Sequence, residues 1–127
     1  MTRPRTITFV GWLFIVVGIA GLLNDLWPLA TSHATEQLAK LSADGWTDLG
    51  PAWSLRLLAI VGGAALLRRR NWARRLLEAW MLAHAGVSFF HPASEFLVHL
   101  AIFTPLIYLL FRRESDIYFD DAKAARA

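Results

Sequence analysis

The feature that most constrains this chain is an apolar run near its N-terminus. Eighteen consecutive residues, Thr6 to Leu23, carry no ionisable side chain, and the run can extend to Trp27. An α-helix rises about 1.5 Å per residue, so about 20 apolar residues cross the hydrocarbon core of a bilayer. The run therefore predicts a membrane-spanning helix.

Three further apolar blocks follow, and the charged residues lie between them. The predicted spans cover about residues 6–27, 52–67, 72–91 and 95–111. With 56% hydrophobic and only 18% charged residues, the chain has too little polar surface for a soluble domain of its size. We expect an all-α fold in which residues 1–127 form a single integral membrane domain, a bundle of four antiparallel transmembrane helices with up-down topology. Because the chain has no cysteine, disulfides and thiolate chemistry are excluded.

The basic residues are distributed asymmetrically about these spans. Eleven of the thirteen lie before the first span, at the connection of the second to the third (including the first turn of the third), or after the fourth, and only Lys40 and Arg56 lie elsewhere. Cytoplasmic loops of membrane proteins carry an excess of arginine and lysine. Both termini are therefore predicted to be cytoplasmic, which agrees with an even number of spans.

An arginine cluster lies between the second and third spans. It lacks the exposed aromatic residues and the binding fold that would indicate nucleic acid, so nucleic acid is not a predicted partner. Clusters of this kind next to a membrane span typically fix the topology and contact anionic lipid head groups, which are the predicted partner here. The cluster comprises Arg68, Arg69, Arg70, Arg74 and Arg75.

Two segments lie outside the predicted spans. In the outer loop, residues 28–51, Ser32 is a suitable cap for a short helix that ends before Asp44 and Gly45. This helix is either a lid over the bundle or part of a plain connector. The cytoplasmic tail, residues 112–127, has mixed charge and is expected either to fray or to form a short helix.

Two ionisable residues near the outer ends of the first two spans, Asp25 and Arg56, are predicted to meet. Antiparallel spans place them at similar depth, and an ion pair removes the cost of burying either charge alone. Alternatively, Arg56 extends its charged group to the interface. Each residue shares a helical stripe with small residues, which allow helix backbones to approach closely. The small residues are Gly11, Gly18 and Gly21 on the first span, and Ala52, Ala59 and Gly63 on the second.

The third and fourth spans are predicted to form a hairpin that turns near His91. Symmetry about this turn places His84 level with His99, and Ser88 level with Glu95. Because lipid offers no hydrogen-bond partner, both imidazoles are expected to point inward. Together with the ion pair they predict a ligand-binding cluster in the outer half of the bundle, formed by Asp25, Arg56, His84, Ser88, Glu95 and His99.

Several interpretations of this cluster remain open. The histidines could only stabilise helix packing by hydrogen bonding across the helices. They could instead relay protons, bind a small polar ligand or act as a base on a substrate. No cofactor is predicted, and haem or a metal ion at His84 and His99 is an alternative, since imidazole ligates iron, copper and zinc. Two histidines are an incomplete ligand set for a structural zinc site.

The region from about residue 57 to 119 resembles small bacterial four-helix inner-membrane proteins that have no assigned activity. The resemblance is carried by LLAIVGGAALLRRRNWARRLLEAWMLAHAGVS and by the later LLFRRESDIYF. In size and number of spans the chain is also similar to the DoxX-like proteins. The resemblance implies bacterial origin and a multi-pass protein of the inner (plasma) membrane, and it assigns no catalytic residues.

The leading functional prediction is an accessory or interaction subunit of a membrane assembly, either a homo-oligomer or a larger complex. Four short helices bury little surface against one another, and their small-residue stripes suit further helices. The alternative is a carrier or membrane enzyme that uses the outer polar cluster. The sequence contains no phosphate-binding loop, HExxH or nucleophile elbow, which disfavours an enzyme.

Overall fold

The computed structural model describes residues 3–30, 35, 46–89 and 93–124. Throughout this part of the chain the regular secondary structure is helical. The five helices are α1 (Arg5–Ala30), α2 (Trp46–Leu67), α3 (Trp72–Ser88), α4 (Ala93–Phe111) and α5 (Arg113–Ala124). The all-helical prediction is confirmed for these residues.

Three of the helices are long and apolar enough to cross a membrane. The qualifying segments are Arg5–Trp27, Gly50–Leu67 and Ala93–Phe111. The predicted third span is not among them, because α3 has only 17 residues and carries three charged side chains in its first two turns. A helix of that length measures about 25 Å, which is less than the hydrocarbon thickness of about 30 Å. The structure thus supports a membrane protein with three candidate spans.

Two helices extend beyond the predicted spans. Helix α1 continues to Ala30, and α2 begins at Trp46, inside the segment predicted to be an outer loop. The predicted bounds followed the ends of the apolar blocks, whereas backbone hydrogen bonding carries a helix past the last apolar residue. The helix predicted between Ser32 and Asp44 lies outside the described residues except for Thr35, and the turn at His91 lies outside them as well.

Helices α1 and α2 pack closely and antiparallel through their small residues. A Cβ atom on Gly63 would lie 2.5 Å from the carbonyl oxygen of Gly11, and one on Gly18 would lie 2.8 Å from that of Arg56. Later positions of α1 therefore contact earlier positions of α2. The two predicted stripes face each other within the chain, so that their backbones touch.

Helix α3 packs against both α2 and α4. The Trp80 indole donates a hydrogen bond of 2.7 Å to the carbonyl of Leu55, and its ring lies 6.0 Å from that of Phe103. Nearer the end of α3, the Ser88 hydroxyl lies 3.0 Å from the His99 ring nitrogen Nδ1. Helix α3 runs antiparallel to both α2 and α4.

The tail forms a packed helix rather than a frayed end. Tyr118 and Phe119 of α5 are 2% and 1% exposed, and Ser115 is fully buried. The guanidinium of Arg74, which is itself buried, contacts Asp116 and lies 4.5 Å from the centre of the Phe111 ring. The alternative of a short tail helix is therefore confirmed.

The N-terminal segment meets the tail and the α2–α3 turn at one end of the molecule, here called the basic end. Arg3 donates a hydrogen bond of 2.6 Å to the carbonyl of Leu67, the last residue of α2. The same guanidinium donates a bond of 3.3 Å to the Tyr118 hydroxyl. The start of α1, the end of α2 and helix α5 are thus tied together.

Candidate ligand-binding cavity

The predicted pair of Asp25 and Arg56 is present. The Arg56 Nε atom lies 3.6 Å from the Asp25 Oδ2 atom, and the two side chains are 28% and 16% exposed. Arg56 reaches Asp25 by crossing Gly21, where an added Cβ would lie 2.5 Å from the arginine Cδ atom. The glycine on the α1 stripe thus provides room for the arginine stem.

The two histidines point inward, as predicted. Their ring centres are 5.7 Å apart, and each ring contacts Phe103. The His99 Nδ1 atom lies 3.0 Å from the Ser88 hydroxyl and 2.8 Å from the carbonyl oxygen of Glu95, one turn earlier on α4. The Ser88 hydroxyl in turn donates a bond of 2.9 Å to the carbonyl of His84.

These contacts assign the proton on His99. A carbonyl oxygen only accepts hydrogen bonds, so the Nδ1 atom near the Glu95 carbonyl must carry the hydrogen. The Ser88 hydroxyl donates its single hydrogen to the His84 carbonyl. Its oxygen therefore accepts a hydrogen bond from the same Nδ1–H group. In a neutral imidazole, Nε2 then holds the lone pair and can accept a hydrogen bond from a ligand.

His84 is held differently. Its ring stacks on Trp80, with centres 4.4 Å apart and planes inclined by 21°. Its Nδ1 atom is buried and has no hydrogen-bond partner among the residues that the structure describes. An unsatisfied buried polar atom costs about 1–3 kcal/mol.

The histidines and Arg56 line a cavity of about 380 Å³. Ligand pockets typically enclose about 300–1,000 Å³, with apolar walls and a few polar groups that orient the ligand. This cavity has that composition, because its other walls are apolar or aromatic. The full lining is Leu13, Phe14, Val17, Arg56, Trp80, His84, His99, Ile102, Phe103 and Leu106.

The six predicted site residues have different positions relative to this cavity. Arg56, His84 and His99 line it directly. Ser88 orients His99, and Asp25 holds Arg56. The remaining residue, Glu95, has an exposed side chain and contributes its backbone carbonyl to the His99 hydrogen bond.

The apolar lining was missed by the sequence prediction. Phe103 lies four residues after His99, on the same face of α4, so helical spacing was a signal that could have found it. Leu13, Phe14 and Val17 of α1 reach the cavity only through the packing of α1 against the other helices. No local pattern in the sequence marks that contact.

Metal or haem binding at the histidines stays a prediction. Among the residues whose side chains the structure describes, no three histidine, aspartate or glutamate side chains converge as a metal site would require. Geometry supports hydrogen bonding to a ligand more directly, since the site supplies one guanidinium and two imidazoles.

The helices and the cavity define a helical protein with three segments able to cross a membrane. Comparison of the chain with protein-family models, curated proteins and solved structures finds no match. The resemblance to small bacterial four-helix inner-membrane proteins therefore stays a prediction.

Proposed function

We propose that this chain is a multi-pass protein of the bacterial inner membrane that binds a small amphiphilic molecule between α1, α2, α3 and α4. The observation that carries the proposal is the cavity, in which Arg56, His84 and His99 face otherwise apolar walls. The proposed activity is binding, as in a carrier, and no catalytic residue is assigned.

The proposed arrangement in the membrane has four crossings and cytoplasmic termini. Helix α3 is short, but Arg74 and Arg75 lie at its first turn, at the basic end where membrane helices commonly place their arginines. The hydrogen bonds of Arg3 to Leu67 and Tyr118 support termini on the same side. An antiparallel α3 between α2 and α4 fits a fourth crossing.

The polar groups of the cavity define the head of the ligand. Arg56 is permanently charged and offers only hydrogen-bond donors, so it requires acceptor oxygens. The His99 Nε2 atom accepts a hydrogen bond when its ring is neutral and carries the proton on Nδ1. A carboxylate supplies acceptor oxygens to Arg56, a hydroxyl or protonated carboxyl group also donates to His99, and the apolar walls suit a hydrocarbon body.

The ligand is proposed to enter from the lipid. Two of the lining residues, Val17 on α1 and Ile102 on α4, are 42% and 50% exposed. They mark an opening between these helices, and in a bilayer that side faces acyl chains. An amphiphile dissolved in the membrane reaches the cavity without crossing water.

One of the two arguments for an accessory subunit is weakened by the packing of α1 and α2. It partly rested on small-residue stripes that suit partner helices, and α1 and α2 use those stripes against each other. Among the described glycines, Gly50 and Gly86 have no neighbour within 4 Å of an added Cβ. Two isolated glycines do not form a stripe, so ligand binding is the function that the geometry supports better.

The test is binding of a fluorescent fatty acid to the purified full-length protein in detergent. Val17→Trp should fill the opening and weaken binding about tenfold, whereas Val16→Trp, which changes an exposed residue outside the cavity, should not. The methyl ester of the same fatty acid lacks the acidic head and should bind about tenfold more weakly.

The measurements on Val17→Trp, Val16→Trp and the methyl ester distinguish binding at a specific site from partition into detergent. Equal binding of the acid and its ester would show that Arg56 and the histidines do not distinguish the two head groups. Equal effects of Val17→Trp and Val16→Trp would place the fatty acid outside the cavity. Either result would contradict the proposal.

A further inference from the structure

The turn between α2 and α3 has an unusual residue at its centre. Arg69 adopts φ = 57°, the left-handed conformation that ends many helices and is usually occupied by glycine. The Arg70 amide bonds to the carbonyl of Ala65 at 3.0 Å, and the Arg69 amide to that of Leu66 at 3.2 Å. These two bonds form a Schellman motif, which fixes the backbone on both sides of Arg69.

The fixed turn sends neighbouring arginines in different directions. Arg69 turns inward, with its guanidinium 4.2 Å from the centre of the Tyr118 ring and a hydrogen bond of 3.2 Å to the Tyr118 carbonyl. Arg68 and Arg70 are exposed, and neither has an acidic partner among the residues whose side chains the structure describes.

The other arginines of the cluster are already engaged. Arg74 is 5% exposed and contacts Asp116, while Arg75 lies 3.1 Å from the Glu78 carboxylate. Of the five arginines that the sequence assigns to lipid contact, only two present an uncompensated charge outward. The charge available to a partner is therefore concentrated at Arg68 and Arg70.

These two arginines border a second cavity, of about 400 Å³. Its remaining walls are the half-exposed ring of Trp72 and three apolar side chains of the last turns of α2. The candidate span of α2 ends at Leu67, so the arginines lie where hydrocarbon gives way to head groups. The apolar walls are Val61, Ala64 and Ala65.

We propose that this cavity binds an anionic phospholipid. Arg68 and Arg70 hold the phosphate, since guanidinium groups donate paired hydrogen bonds to phosphate oxygens. One acyl chain lies along Val61 and Ala64, and the Trp72 ring packs at the level of the glycerol backbone, where indole rings concentrate in membranes. Free phosphate would satisfy the arginines alone and leave the apolar walls unused, which favours a lipid as the source.

The experiment measures lipid binding to the full-length protein by native mass spectrometry in detergent. Phosphatidylglycerol should bind, and phosphatidylcholine with the same acyl chains should bind at least about tenfold more weakly. The variant R68Q/R70Q should weaken phosphatidylglycerol binding about thirtyfold. The control R5Q/R113Q removes the same charge from two other exposed arginines and should change binding less than about twofold.

A second variant tests the apolar part without changing charge. Ala64→Phe should fill the acyl groove and weaken phosphatidylglycerol binding about tenfold, even if R68Q/R70Q proves too unstable to purify. Equal loss in R68Q/R70Q and R5Q/R113Q would show diffuse surface attraction and overturn the site. Inorganic phosphate competing as well as the lipid, or unchanged binding in Ala64→Phe, would overturn the lipid assignment.

Discussion

At the scale of single residues, the polar side chains that are most costly to bury in the apolar part of this chain pair with one another. Asp25 and Arg56 share an ion pair, and Gly21 lies beneath the arginine stem. His99, Ser88 and the His84 carbonyl form a chain of hydrogen bonds. These polar groups are thus fixed in direction, which is a condition for the selective binding proposed above.

The ion pair gives the first prediction. Asp25→Asn and Arg56→Gln should each lower the free energy of unfolding by about 1–3 kcal/mol, because each leaves the partner charge half-buried and unpaired. The double variant should recover part of the loss. Unfolding in detergent, followed by circular dichroism across the double-mutant cycle, measures the coupling energy.

The Arg75–Glu78 pair is the matched control. Its arginine is 76% exposed, so solvent screens the pair, and its coupling energy should stay below about 0.5 kcal/mol. If the losses at Asp25 and Arg56 are strictly additive, the two residues do not interact, and Arg56 is better described as extending to the interface.

At the scale of helices, glycine determines how α1 and α2 meet. An added Cβ on Gly63 would collide with the backbone of Gly11, which has no rotamer through which to move away. The same atom on Gly86 of α3 meets no described residue within 4 Å. These two helical glycines therefore have different roles.

The second prediction follows from this contrast. Gly63→Ala should destabilise the fold by about 1–3 kcal/mol, because α1 and α2 must separate. Gly86→Ala should be neutral or stabilise by up to about 1 kcal/mol, because alanine favours a helix more than glycine does. Both are read from unfolding midpoints in the same detergent. An unchanged unfolding midpoint for Gly63→Ala would mean that α1 and α2 do not touch at Gly63.

Helix α5 is the element whose packing was predicted least well from the sequence. Its mixed charge obscures an amphipathic face, on which Ser115, Tyr118 and Phe119 are buried. Arginines from the N-terminal segment, the α2–α3 turn and α3 converge on this face. The partners of α5 are distant in sequence, so local composition could not reveal that the tail is packed.

At the scale of the whole molecule, the proposal of an even number of crossings rests on the contacts at the basic end. Arg3 binds both Leu67 and Tyr118, which brings the two ends of the described chain together. If α3 did not cross the membrane, the fourth predicted span would leave the tail on the opposite face. The membrane topology therefore depends on the helix with the weakest hydrophobic signal.

The third prediction tests this topology with single cysteines, each of which is the only thiol in the chain. In intact cells a membrane-impermeant maleimide should label Lys40→Cys. It should label Asn71→Cys and Arg113→Cys only after permeabilisation, because both are expected to be cytoplasmic. Labelling of Arg113→Cys but not of Asn71→Cys in intact cells would indicate three crossings and contradict the four-span arrangement.

The sequence by itself determined the helical class and most of the helix positions. Long apolar blocks must be helices in lipid because their backbone polar groups need partners within the segment. Helical spacing also placed His84 opposite His99 and Asp25 near Arg56, because these pairs lie on helices that are consecutive in the chain. For consecutive antiparallel helices, depth can be predicted from distance to a tight turn, as for the histidines, or from distance to the outer ends of the spans, as for Asp25 and Arg56.

Only the tertiary structure decided what surrounds those pairs. The walls that α1 contributes to the cavity, and the docking of α5 at the basic end, depend on contacts between helices separated by many residues. The inward turn of Arg69 depends on Tyr118, which no spacing rule relates to it. Local periodicity shows which face of a helix is apolar, but the partner of that face is chosen by how all the side chains fill the space between helices.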